Sequence, residues 1–99
     1  MNYEFHPEAL EEFESAVAFY SLRQKGLEVR FIDTVVAAIK RACDSPQTWR
    51  KFDGEIRRVL VQVFPYAVLY SMEKDFIYII AVMHCSREPG YWKERLGRG

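Results

Sequence analysis

The run Ile56-Arg57-Arg58-Val59-Leu60-Val61-Gln62-Val63-Phe64-Pro65-Tyr66-Ala67-Val68-Leu69-Tyr70-Ser71-Met72-Glu73-Lys74-Asp75-Phe76-Ile77-Tyr78-Ile79-Ile80-Ala81-Val82-Met83 decides the fold. Three stretches of it, 56–63, 66–72 and 76–83, are rich in β-branched and aromatic residues, which is a strand signature. Phe64-Pro65 separates the first from the second, and Glu73-Lys74-Asp75 separates the second from the third. Connections this short allow only an antiparallel meander, because a parallel crossover needs about a dozen residues or more.

Upstream the period changes. Residues 2–6 alternate apolar and polar side chains, as a short strand does. Pro7 then suits the first position of a helix, where its missing N–H costs nothing. Glu8, Glu11 and Glu12 follow, where carboxylates complement the helix dipole. Leu10, Phe13, Val17 and Tyr20 recur at helical spacing and define a buried stripe. Gly26 interrupts the pattern. A second helix presents Leu27, Phe31, Val35, Ala38 and Ala42 on one face, flanked by Ile32 and Ile39. Asp44-Ser45-Pro46 ends it, since the residue before proline is pushed out of the helical region. The expected order is β-α-α-β-β-β with a short C-terminal helix around 91–96. That is an α+β fold: a helix hairpin packed on a four-stranded, mainly antiparallel sheet, in a single domain over residues 1–99. Phe13, Val17, Phe31, Val35, Ile39, Leu60, Val68, Ile79 and Ala81 are expected in the core or at its margin.

Composition narrows the class. Apolar residues make up 49% of the 99 residues, enough to close one small core without metal or disulfides. The apolar runs are too short to span a bilayer, and no secretory signal stands at the start, so a cytoplasmic protein is expected. Cys43 and Cys85 lie far apart without metal-ligand spacing, and reduced thiols are expected. The formal net charge is zero, but it is unevenly spread. Residues 1–39 carry three basic and seven acidic side chains, and residues 40–99 carry eleven basic and seven acidic. The second half is the better candidate for meeting an anion. No phosphate-binding glycine loop, metal cluster or nucleophile elbow is present in the sequence, and no cofactor is expected.

Candidate chemistry gathers where the last strand ends. Arg57 and Arg58 are adjacent, so they point to opposite faces of their strand. One suits a salt bridge to a helix glutamate, and the other is free to hold a phosphate. On a period of two, His84 shares a face with Phe76, Tyr78, Ile80 and Val82. Arg87 follows three residues later, and Tyr91 four after that, across Glu88-Pro89-Gly90. A histidine titrates near neutrality and moves protons. An arginine stabilises charge on a transferring phosphate, and an aromatic ring stacks on a base. Alternatively, Tyr91 and Trp92 pin the terminal helix to the sheet, a role that suits Trp92 better. His6 reads as a strand end or helix cap.

The chain resembles the RelE/ParE superfamily of type II toxin–antitoxin toxins over nearly its whole length. The resemblance rests on Phe5-His6-Pro7-Glu8-Ala9, Ala18-Phe19-Tyr20, Phe31 and Ile56-Arg57-Arg58. It continues through Phe64-Pro65-Tyr66-Ala67-Val68-Leu69-Tyr70 and the segment from His84 to Arg95. It implies a growth-arresting toxin of the plasmid-stabilisation kind, held inactive by a cognate antitoxin whose C-terminal segment wraps the open sheet face and the groove beside the helix hairpin. RelE-like members cleave mRNA on the ribosome, and ParE-like members inhibit DNA gyrase without nuclease chemistry. In the RelE-type pocket, His84, Arg87, Tyr91 and Arg58 would be catalytic, and Arg57, Arg58 and Arg87 would hold the phosphate. Ribosome-dependent mRNA cleavage is the expected activity on this reading. Gyrase inhibition, or a degenerate domain kept for binding alone, is the alternative.

Overall fold

The computed structural model describes residues 1–98. Its elements are β1 (Asn2–Phe5), α1 (Pro7–Arg23), α2 (Leu27–Asp44), β2 (Lys51–Asp53), β3 (Ile56–Leu60), β4 (Tyr66–Met72) and β5 (Phe76–His84), followed by a terminal 3-10 turn (Lys93–Arg98). The strands form one sheet in the order β1-β5-β4-β3-β2. β1 runs parallel to β5, and the other neighbours are antiparallel. The meander read from residues 56–83 is present, but the sheet has five strands rather than four. The additional strand, β2, has three residues, all exposed and two of them charged. It pairs on one side only, through a shifted register, so it leaves no apolar alternation in the sequence. β3 also stops at Leu60, short of residue 63. The C-terminal segment winds as a 3-10 turn rather than an α-helix.

Local chemistry sets the helix ends. His6 caps α1: its Nδ1 accepts the Glu8 amide at 3.0 Å, and Pro7 occupies the first helical position. Gly26 opens α2 at φ 88°, a left-handed conformation that a glycine adopts without steric cost. α2 buries Phe31, Val35, Ala38, Ile39 and Ala42. α1 buries Ala9 and Ala16, while Phe13, Val17 and Tyr20 are half-buried and Leu10 is exposed. The buried stripe of α1 is therefore turned away from Leu10 and centred on small residues, which let the helix backbone approach β5. Tyr20, Phe31, Phe64 and Tyr66 close one end of this core, with ring centroids about 5 Å apart for Tyr20–Phe31 and Phe31–Phe64.

A bulge in β5 reassigns its faces. Leu69 faces Ala81 and Tyr70 faces Ile79, so Ile80 has no partner across β4. One extra residue moves every later side chain to the other face. Ile77, Ile79 and Val82 join the helix-side core, whereas Ile80, Ala81 and Met83 line the opposite face. His84 therefore does not share a face with Phe76, Tyr78 and Ile80 as strict alternation predicts. It pairs with Tyr66 on the helix side, the two rings 5.1 Å apart.

The face away from the helices has its own core of Ile56, Ala67, Leu69, Ile80, Ala81 and Met83, roofed by Trp92, which is 1% exposed. Trp92 thus anchors the C-terminal segment. Its buried indole N–H has no partner among the described residues. Leu60 departs from expectation: it is 53% exposed, because alternation puts it on this second face, outside the cluster that Trp92 covers.

Candidate functional site

β1 is too short to cover β5. Its last pair is Phe5 with Ile79, and the His6 amide donates to the Ile79 carbonyl at 2.9 Å. β5 continues to His84, so its outer edge loses its strand neighbour from Ile80 onward. An uncovered edge presents backbone groups that need partners. Two side chains supply them. Arg95 Nη1 donates to the Ile80 carbonyl at 2.9 Å, and the Val82 amide donates to Glu12 Oε1 at 3.1 Å.

These two side chains also hold each other. Arg95 Nη1 and Nη2 donate to Glu12 Oε1 and Oε2, each at 3.0 Å, a fork geometry that arginine makes and lysine cannot. Arg95 is 8% exposed. The Tyr91 hydroxyl donates to Glu12 Oε2 at 2.5 Å, so the Glu12 carboxylate accepts four hydrogen bonds. Burial, then the hydrogen bond to Glu12, push the Tyr91 phenol well above the usual tyrosine range. Burial alone would lower the Arg95 guanidinium, but the hydrogen bonds and charge of Glu12 outweigh it, and the group is held more firmly cationic than usual.

His84, Arg87 and Tyr91 meet around one cleft of about 510 Å³ beside this edge. His84 Nδ1 accepts the Ser86 amide at 3.0 Å and lies 2.7 Å from Ser86 Oγ, which leaves the proton of the neutral ring on Nε2. The exposed Arg87 guanidinium stacks 3.8 Å from the Tyr91 ring centroid, and Arg95 approaches the same ring at 5.1 Å. The opposite wall is α1, which contributes Glu8, Glu11 and Glu12. The cleft therefore sets three carboxylates against one histidine and two arginines, and one of those arginines is already neutralised.

The strand arginines are placed elsewhere. Arg57 points to the helix side of β3 and donates to the Trp49 carbonyl at 2.7 Å. Arg58 points to the opposite face and stacks on Phe52, 4.9 Å from its centroid. The body of the sheet separates Arg58 from His84. Glu12 and Arg95 were not singled out from the sequence. A signal for Glu12 existed: it lies between Ala9 and Ala16, three and four residues from each, on the stripe that α1 buries. A carboxylate in that position requires a buried cation.

Comparisons with known proteins agree with this architecture. A family model described as ParE toxin of type II toxin-antitoxin system, parDE, matches residues 3–89. A chain from the solved structure "Chromosomal ParDE TA system from P. aeruginosa" superposes with a TM-score of 0.70 at 12% identity. The match covers 85% of this chain and 95% of that one, and at that identity it bears on the fold alone. No curated protein sequence matches significantly.

Proposed function

We propose that this chain, which belongs to the ParE toxin family of type II toxin–antitoxin systems, arrests growth by binding a protein target, DNA gyrase, and is held inactive by a cognate antitoxin. The observation that carries this reading is the acidic wall of the His84 cleft. Binding a nucleic-acid backbone draws much of its strength from cations that replace counterions. Here Glu8, Glu11 and Glu12 face the cleft, and Arg95 is committed to Glu12. The Tyr91 hydroxyl is also bound to that carboxylate, so it is a poor proton carrier at neutral pH. A protein surface, unlike a phosphate backbone, offers cations that such a cleft can meet.

Ribosome-dependent mRNA cleavage is the second reading, favoured by the approach of His84 and Arg87 to a single cleft. Cleavage by a 2′-hydroxyl needs a base, an acid and cationic charge on the phosphate. Neither Arg57 nor Arg58 lines this cleft, and Arg87 would have to supply that charge almost alone. A supercoiling assay with purified gyrase tests the first reading. Toxin added in slight excess over gyrase blocks supercoiling, and added antitoxin restores it. Undiminished supercoiling at a large excess of folded toxin would refute a gyrase target.

A further inference from the structure

We infer that the groove across the sheet face away from the helices seats a basic, apolar segment of the cognate antitoxin. The groove encloses about 750 Å³. It is touched by every strand or its adjoining turn, from Glu4 on β1 to Asp53 at the end of β2, and is walled by the C-terminal turn. Four inter-strand spacings make it about 19 Å long, the length of about six extended residues. Its floor is apolar, formed by Ile56, Phe76, Tyr78, Ile80 and Trp92.

The rim gives the sign of the occupant. Glu4, Asp53, Glu55 and Glu73 border the groove, against Lys93 and Arg95. Both cations are already engaged, Lys93 with Asp53 at 3.0 Å and Arg95 with Glu12. Glu55 is met by Lys51 at 3.1 Å. Among the described residues, Glu4 and Glu73 have no cation within salt-bridge distance. An apolar floor under two uncompensated carboxylates suits a segment that carries aliphatic or aromatic side chains with lysine or arginine beside them. This complements the groove better than the partly acidic segment to be expected of an antitoxin generally.

The inference rests on reading the chain as a neutralised toxin, and it is tested separately from the gyrase assignment. The probe is the full-length antitoxin encoded beside the toxin, titrated against toxin separated from it under denaturant and refolded. Glu4→Lys with Glu73→Lys weakens antitoxin binding by about tenfold or more, since two attractive contacts become repulsive. Glu14→Lys with Glu88→Lys makes the same charge change outside the groove and leaves affinity within about twofold. In a Trp49→Phe background the emission of Trp92 changes on titration, because Trp92 lines the groove. Equal affinity of the Glu4/Glu73 variant and the wild type would overturn the inference. So would equal weakening in both charge variants, an unchanged Trp92 signal, or failure of the antitoxin to bind wild-type toxin. If the Glu4/Glu73 variant binds antitoxin normally but no longer inhibits gyrase, the groove belongs to the target, and the inference falls while the proposed function stands. If wild-type toxin fails to inhibit gyrase, the proposed function falls, and the antitoxin titration still decides the groove.

Discussion

Glu12 and Arg95 lie 83 residues apart in the chain and meet in a two-armed ion pair that caps the bare edge of the last strand. Between them they satisfy the Ile80 carbonyl and the Val82 amide. They also fix Tyr91, which carries the Arg87 guanidinium on its ring. The pair thus does the work of a longer β1 and joins the first helix to the C-terminal segment.

Removing one partner leaves a charge and two backbone groups uncompensated. Arg95→Ala and Glu12→Ala should each lower stability by about 3–5 kcal/mol, the usual cost of breaking a buried pair. The double variant should cost less than the sum of the two. Urea unfolding of the three variants measures this, and additive losses would show that the pair is not coupled.

Two phenols link stability to alkaline pH. Tyr70 is fully buried and donates to the Pro46 carbonyl at 2.6 Å. Burial is the largest cause that pushes its pKa up to about 12, with the Arg57 charge opposing. A folded-state pKa raised above the unfolded value of about 10 gives stability that is complete below pH 10. That stability is then lost as pH rises through the folded pKa. The loss should run at about 1.4 kcal/mol per pH unit between roughly 10 and 12 for this group. Tyr91 adds a loss of the same sign. Unfolding free energies from pH 7 to 12 should show the decline, and Tyr70→Phe with Tyr91→Phe should flatten it.

Much of the fold was legible because periodicity and turn chemistry agreed. The strands at residues 66–72 and 76–83, the stop at Asp44 and the cap at His6 all follow from local residues. The bulge at Ile80 did not show, since Ile79-Ile80-Ala81 is apolar throughout and any register of it looks alike. That single unpaired residue moved His84 to the helix side. The turn of α1 toward Ala9 and Ala16 was hidden because leucine and phenylalanine carry more apolar signal than alanine. Of the candidate site, the convergence of His84, Arg87 and Tyr91 was readable from Pro89-Gly90. The acidic wall was not, because it depends on how α1 sits against β5.

Leu60 and Val59 are neighbours with opposite burial, 53% and 0% exposed. Leu60→Gln should change stability by no more than about 0.5 kcal/mol. Val59→Ala should cost about 1.5–3 kcal/mol. Thermal or urea unfolding of the two variants separates them, and a large effect at Leu60 would refute the face assignment of β3.

Val63 holds a left-handed backbone at φ 74° and is 74% exposed. A β-branched residue in that region is strained by about 1–2 kcal/mol, part of which glycine relieves at an entropic cost. Val63→Gly should therefore stabilise the protein by about 0.5–1 kcal/mol. A lower unfolding midpoint in the glycine variant would contradict this conformation.

The most direct test of a toxin that acts without nuclease chemistry is primer extension on mRNA held by programmed ribosomes, with toxin at concentrations that block gyrase. No new 5′ ends should appear, and His84→Ala with Arg87→Ala should leave growth arrest unchanged. Toxin-dependent cleavage that the double variant abolishes would contradict the protein-target reading and make His84 and Arg87 catalytic.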